Sequence, residues 1–217
     1  MFHSLKDYCI NYNSGMTILS VSVAQIHIAL GDVQANLHKT TQIVEEASLS
    51  GAELIVFPEL WLHGYDLNNV TRLAQQTQEI TTKLTDLASQ SRIWIFGSIL
   101  RMKRTGVFNT LIAVSPDGVL HYIYDKIHLF KMMHEDQYFT PGQEIKTKTF
   151  PWGVTAFSIC YDLRFPEMHR KFLLSDAQLC ITPAEWPIRR VTHWSALLQA
   201  RAIENQMFYI GSNCVGE

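Results

Sequence analysis

Along residues 18–26 (ILSVSVAQI), β-branched side chains alternate with small or polar ones, the period-two pattern of a half-buried strand. The period then lengthens. Over residues 33–50, Leu37, Val44 and Ala47 recur at helical spacing, and Gly51 stands where such a helix ends. AELIVF (52–57) is a short apolar run halted by Pro58, as expected of a buried strand. Residues 70–91 predict one helix, with Ile80, Leu84, Leu87 and Ala88 as its apolar stripe. WIFGSIL (94–100) and VFNTLIAVS (107–115) predict strands. Pro116-Asp117-Gly118 predicts a turn, because proline presets φ and glycine accepts a positive φ, and VLHYIYDK (119–126) returns as the hairpin partner. Further on come a strand ending at a cysteine (VTAFSIC, 154–160), a helix from Pro166 to Leu174, and a strand AQLCITP (177–183). A helix over 191–207 and a strand FYIGSN (208–213) complete the order. Helices alternating with strands, plus one antiparallel hairpin, predict an α/β domain with mixed sheet covered by helices. No repeat, low-complexity tract or linker interrupts it, so one domain is expected.

Composition narrows the partners. The chain has 217 residues, 47% hydrophobic and 18% charged, enough for one domain with a substantial core. Eighteen Lys and Arg against 20 Asp and Glu leave a formal net charge of -2, so there is no basic footprint for nucleic acid and no polybasic membrane patch. A small-molecule substrate is expected instead. The most apolar run, Ile18 to Leu30, is interrupted by Ser20, Ser22, Gln25 and His27 and does not suit a bilayer span. Cys9, Cys160, Cys180 and Cys214 are far apart, and the first fifteen residues are too polar for a secretory signal. Reduced thiols and a cytoplasmic location follow. Residues 1–15 read as a leader, disordered or not native, ahead of a domain over 16–217 that starts at Met16.

Three polar residues stand at strand ends. Glu59 follows LIVFP, Lys126 follows YIYD and Cys160 follows AFSI. Loops beyond strand ends are where ligand sites gather in open α/β sheets. Singly, each has an ordinary explanation: a buried small thiol, or a solvated strand terminus. Together they form a set able to perform acyl transfer. The carboxylate takes the thiol proton, the thiolate attacks an amide carbonyl, and the ammonium stabilises the oxyanion. Tyr161 follows the cysteine, so its backbone N–H is a second oxyanion donor in reach. The histidines include no HExxH and no tight His/Cys cluster, so no metal site is expected, and His128 reads as structural.

The surrounding segments extend the pattern. FPELWLHGYD around Glu59, YDKIHLF around Lys126 and SICYDLRFPE around Cys160 resemble the three catalytic segments of the nitrilase superfamily of carbon–nitrogen hydrolases. EDQYFTPGQ (135–143) resembles the segment that carries an additional glutamate, here Glu135, and PAEWPIRRVTHWSALLQARAIENQMFYIGSN (183–213) resembles the downstream block of the ω-amidase, or Nit-protein, branch. The resemblance covers about residues 17–216 in family order. It implies a four-layer αββα sandwich, assembled as a homodimer or larger homo-oligomer, and a mechanism without metal or organic cofactor. It further implies Cys160 as nucleophile, Glu59 as base, Lys126 as oxyanion partner, and Glu135 orienting Lys126 or the substrate. Tyr65 and Trp186 are expected in the pocket wall. Asp162 and Arg164 are expected to pair and brace the turn, and Arg201 with Glu204 to form an ion pair on the late helix. The implied substrate is a small linear amide, such as an ω-amide of a dicarboxylic acid; carbamoyl compounds and nitriles suit the same triad. Relatives continue for several dozen residues beyond the position of Glu217, so an incomplete scaffold, or an inactive remnant that associates with a homologue, is a further expectation.

Overall fold

Asp32 opens the first helix by accepting from the Ala35 N–H at 3.0 Å, which satisfies one of the amides left free at a helix start. The computed structural model describes residues 4–12 and 17–216. In chain order the elements are β1 (Ser4–Tyr12), β2 (Thr17–Gln25), α1 (Val33–Leu49), β3 (Leu54–Val56), α2 (Val70–Ala74), α3 (Thr77–Ser91), β4 (Trp94–Lys103) and β5 (Gly106–Val114). They continue with β6 (Leu120–Asp125), α4 (Glu135–Tyr138), β7 (Thr147–Phe150), β8 (Gly153–Phe157), α5 (Pro166–Leu174), β9 (Leu179–Ala184), α6 (Val191–Asn205) and β10 (Phe208–Asn213).

The strands form two mixed sheets. The first has six strands in the order β1-β2-β3-β4-β5-β6, and the second has four in the order β10-β9-β8-β7. The pairs β2–β3, β3–β4, β8–β9 and β9–β10 are parallel, so the carboxyl ends within each parallel set lie together. Side-chain alternation divides each central strand between two cores. Ile55 and Ile95 pack with Ile43 and Val44 of α1 and with Ile80 and Leu84 of α3. Leu54, Val56 and Phe96 turn the other way, onto Phe157 and Ile181 of the second sheet. Phe172 of α5 and Trp194 of α6 close the second sheet's far side. The result is helices, sheet, sheet, helices: the four-layer α/β sandwich expected from the sequence. Stacking of Phe96 on Phe157, with centroids 6.2 Å apart, fastens one sheet to the other. Each such fully buried side chain stabilises the fold by roughly 1.5–3 kcal/mol.

Three local outcomes differ from the sequence pattern. The helix expected over 70–91 is broken between α2 and α3, where the Thr77 hydroxyl donates to the carbonyl of Leu100 at 3.0 Å. That hydroxyl ties the start of α3 to β4, and the intervening Gln75 and Gln76 turn the chain. Strand β7 carries too little apolar signal (TKTF) to be found by alternation, and exists because it pairs antiparallel with β8. Ser4–Tyr12 lies within the segment read as a leader, yet forms β1, antiparallel to β2. Gly97 in β4 is required by packing, since a Cβ there would meet Trp61 Cζ3 at 2.6 Å. Among the described residues, no helix is long and apolar enough to cross a membrane.

Candidate active site

Beyond β3, the chain keeps one more ladder bond (Phe57 N–H to Phe96 O, 2.7 Å) and then turns sharply. Leu60 takes a positive φ of 46°, its N–H donates to Ser98 Oγ at 2.9 Å, and its carbonyl accepts from His63 and Gly64. This turn aims Glu59 out of the strand end into the interior. A second sharp turn follows β8. Cys160 has φ 45°, in the left-handed region that costs a residue with a Cβ on the order of 1–2 kcal/mol, and it opens a 3₁₀ turn over Cys160–Arg164. Lys126 is pinned between strands: its N–H donates to Asn109 O at 2.9 Å and its carbonyl accepts from Gly142 at 2.8 Å.

Asp162 locks the cysteine turn to the lysine segment. One oxygen accepts from the Ile159 N–H (3.0 Å) and the Tyr124 hydroxyl (2.7 Å). The other accepts from the His128 backbone N–H and meets His128 Nδ1, both at 2.8 Å. Tyr124 and His128 flank Lys126, so one buried carboxylate sets the spacing of two chain segments. The expected partnership of Asp162 with Arg164 is therefore replaced, because Asp162 points inward to these donors. Arg164 lies over the Trp186 ring instead, its Cζ 4.8 Å from the centroid. The ion pair of Arg201 with Glu204 does form, at 2.9 Å.

At the centre, Lys126 Nζ bonds Glu59 Oε1 at 2.8 Å and Glu135 Oε1 at 2.9 Å, with the three side chains sealed from solvent. Its third contact, to Tyr65 Oη, is long at 3.4 Å. Tyr65 donates its own proton to Glu135 Oε1 at 2.8 Å, and Glu135 Oε2 accepts the Phe130 N–H at 2.8 Å. Glu59 Oε1 also accepts from Asn109 Nδ2 at 2.8 Å, while Oε2 accepts the Glu185 N–H at 2.9 Å. Oε1 thus has both lone-pair positions taken, and Oε2 keeps one available. Burial alone would lower the basicity of Lys126, but the charges of Glu59 and Glu135 outweigh it and hold the ammonium above the ordinary lysine range. Burial, then the charge of Glu59, pushes the Cys160 thiol well up, against the opposing pull of Lys126. The Tyr65 phenol is raised by burial and by the same two carboxylates. The resting set is therefore a neutral thiol beside an ion-paired carboxylate.

A narrow pocket reaches this centre. Cys160, Tyr65, Glu135, Tyr161 and Trp186 all line it. The sequence reading thus named residues that the fold gathers: Glu59, Lys126, Glu135 and Tyr65 around one ammonium, Cys160 and Tyr161 on the adjoining turn, and Trp186 in the wall. It missed Asn109, whose signal was a polar residue inside an otherwise apolar strand, and Glu185, which follows β9 just as Glu59 follows β3. Arg190, also in the wall, carried no signal of its own. Among the described residues, Cys160, Cys180 and Cys214 are free thiols, and no group of His, Cys, Asp and Glu is arranged to hold a metal ion.

Known proteins share this arrangement of chain and fold. Residues 20–217 match the carbon-nitrogen hydrolase family. The chain is 36% identical over 199 residues to 2-oxoglutaramate amidase of Bacillus subtilis, covering 91% of this chain and 76% of that protein. It is 35% identical over 203 residues to a hydrolase in the agr operon of Staphylococcus aureus, covering 91% and 77%. Among solved structures, a variant of the amidase from Nesterenkonia sp. AN1, with acrylamide added at the active-site cysteine, superposes with a TM-score of 0.86 at 25% identity, covering 91% of this chain and 79% of that one. Family match, identity and fold agree, and the chain belongs to the carbon-nitrogen hydrolases of the nitrilase superfamily.

Proposed function

We propose that this protein hydrolyses the ω-amide of a small dicarboxylic acid to the carboxylate and ammonia, through a thioester on Cys160. The observation that carries the chemistry is the bonding of Lys126. Two of its N–H groups are committed to Glu59 and Glu135, and the third reaches Tyr65 only at 3.4 Å, leaving it ready to turn toward a developing oxyanion. The Tyr161 N–H, at the start of a 3₁₀ turn where no intrahelical acceptor lies in reach, is the second donor. The remaining lone pair of Glu59 Oε2 takes the thiol proton as sulfur attacks the amide carbon. Glu59 returns that proton to the leaving nitrogen as the C–N bond breaks, and ammonia departs. Water then attacks the thioester, Glu59 takes its proton, and collapse of the intermediate expels the sulfur, which regains the proton. Glu135 keeps Lys126 in place throughout.

The ω-amide assignment rests on the names of relatives, 2-oxoglutaramate amidase and an ω-amidase of Escherichia coli at 34% identity. It also rests on the pocket mouth. Arg164 and Arg190 line the same pocket as Cys160, each laid over an aromatic ring, Trp186 and Phe130 respectively, and among the described residues neither ion-pairs with a carboxylate. Such guanidinium groups suit the far carboxylate of a dicarboxylic monoamide. Ammonia release should be measured across dicarboxylic ω-amides, simple aliphatic amides, carbamoyl compounds and nitriles, with Cys160→Ala as control. Preference for an ω-amide, lost in the variant, is the expected result. Preference for a carbamoyl compound or nitrile would move the protein to another branch, and turnover surviving in Cys160→Ala would remove the thioester.

A further inference from the structure

Glu185 is the polar group of the pocket that the reaction above leaves without a task. It follows β9 directly, and its backbone is held fast: its N–H donates to Glu59 Oε2 at 2.9 Å, and the next N–H, of Trp186, donates to Asn213 Oδ1 at 2.7 Å. The Trp186 indole adds a third tie, to the Arg190 carbonyl at 2.8 Å. On this fixed segment the Glu185 side chain lines the same pocket as Cys160, and its Oε2 is shut off from solvent with no hydrogen-bond partner among the described residues. A buried carboxyl oxygen left unpaired is costly, and such atoms in native proteins call for a reason. Among the described residues it has no ion-pair partner, and the two arginines of the pocket, Arg164 and Arg190, are laid over aromatic rings.

We propose that Glu185 is a specificity-determining residue, whose carboxyl donates a hydrogen bond to an oxygen of the substrate beyond the scissile amide. This rests on the amidase reading and deepens it by assigning the residue that reads an oxygen acceptor of the substrate beyond the scissile amide. A donor role requires the carboxyl to keep its proton. Burial, with the charge of Glu59 added, pushes the Glu185 carboxyl up to about 8 against the weaker pull of Lys126. The titratable and charged groups around it are Glu59, Lys126, Cys214 and, in the shared pocket, Cys160, Tyr65, Tyr161, Glu135, Arg164 and Arg190. A neutral donor suits an anionic substrate better than a second carboxylate would, because it adds a contact without repelling the charge that the arginines attract.

Binding to the Cys160→Ala protein tests this independently of turnover. Titration calorimetry with an ω-amide bearing a 2-oxo group, in that background, should show about tenfold weaker binding when Glu185→Ala is added. Glu185→Gln, which keeps an uncharged donor of similar shape, should restore binding to within about threefold. Affinity for a plain aliphatic amide should be indifferent to both changes, a contrast that a merely structural role would not produce. Above pH about 8 the Glu185 protein should lose affinity and the Glu185→Gln protein should not. Equal affinity in the Glu185 and Glu185→Ala proteins would overturn the proposal while leaving the amidase reading intact, as would preferential binding of an amide bearing an ammonium. Failure of the Cys160→Ala protein to bind any ω-amide would overturn both.

Discussion

Replacing Lys126 with methionine removes one charge and little volume from the most enclosed ion cluster of the molecule. Its partners Glu59 and Glu135 lie at 2.8 and 2.9 Å, and all three side chains are at most 1% exposed. Removing the cation leaves two carboxylates facing one another without water, and breaking a buried ionic set in this way costs about 3–5 kcal/mol. For a chain of this length, 1 kcal/mol moves the melting temperature by about 2–4 °C, so the expected fall is about 6–20 °C. A second variant separates lost charge balance from lost packing. Lys126→Met combined with Glu59→Gln and Glu135→Gln carries no buried charge at this point and should regain at least half of that deficit, although the couplings among neighbours are not additive. Neither protein should hydrolyse amides, the single change costing at least about a hundredfold through the missing oxyanion donor. Thermal unfolding followed by circular dichroism, with ammonia release in parallel, reads both quantities. A single variant that melts within 2 °C of the parent, or a triple variant no more stable than the single one, would refute the claim that charge balance holds this cluster together.

The Cys160 turn gives an unusual ordering. Because Cys160 has φ 45°, Cys160→Gly should be about 1 kcal/mol more stable than Cys160→Ala in denaturant titration, despite the smaller side chain; the reverse order would mean the turn relaxes. Asp162→Asn puts an amide donor where only donors converge, and should cost about 2–3 kcal/mol and lower kcat more than it raises KM. Rates unchanged with Asn would show that the link between the cysteine turn and the lysine segment is dispensable. Acid sensitivity should come partly from His63, pushed down to about 3 by burial, and His169, pushed down to about 4. Both folded values lie below the ordinary 6.5, so between them the unfolded chain binds more protons, and stability falls as pH drops from about 6.5. Each histidine removes about 2 kcal/mol by pH 5, and in melts from pH 7 to 5 the His63→Leu protein should lose visibly less than the parent.

Much of this was legible along the chain, for local reasons. Period two in ILSVSVAQI and the stripe of Ile80, Leu84, Leu87 and Ala88 follow from side-chain geometry of strand and helix; the strand formed where the pattern put it, and the stripe lies in α3, the longer of the two helices into which the expected one is broken. Glu59, Lys126 and Cys160 were visible because a charged or nucleophilic residue at the end of an apolar strand stands out against its neighbours. Strand β7 was not, since a polar four-residue segment becomes a strand only through its partner. The division of labour in the site was equally hidden. Glu59 meets Lys126 across 67 residues and the Glu185 N–H across 126, contacts that no local pattern encodes and that arise only when parallel strands deliver their carboxyl ends to one place. Asp162 was read as the partner of its neighbour Arg164, the nearest opposite charge in sequence. The folded chain directs it instead to Tyr124 and His128, because a buried carboxylate must be satisfied by whatever donors surround it, and the packing of two distant segments decides which those are.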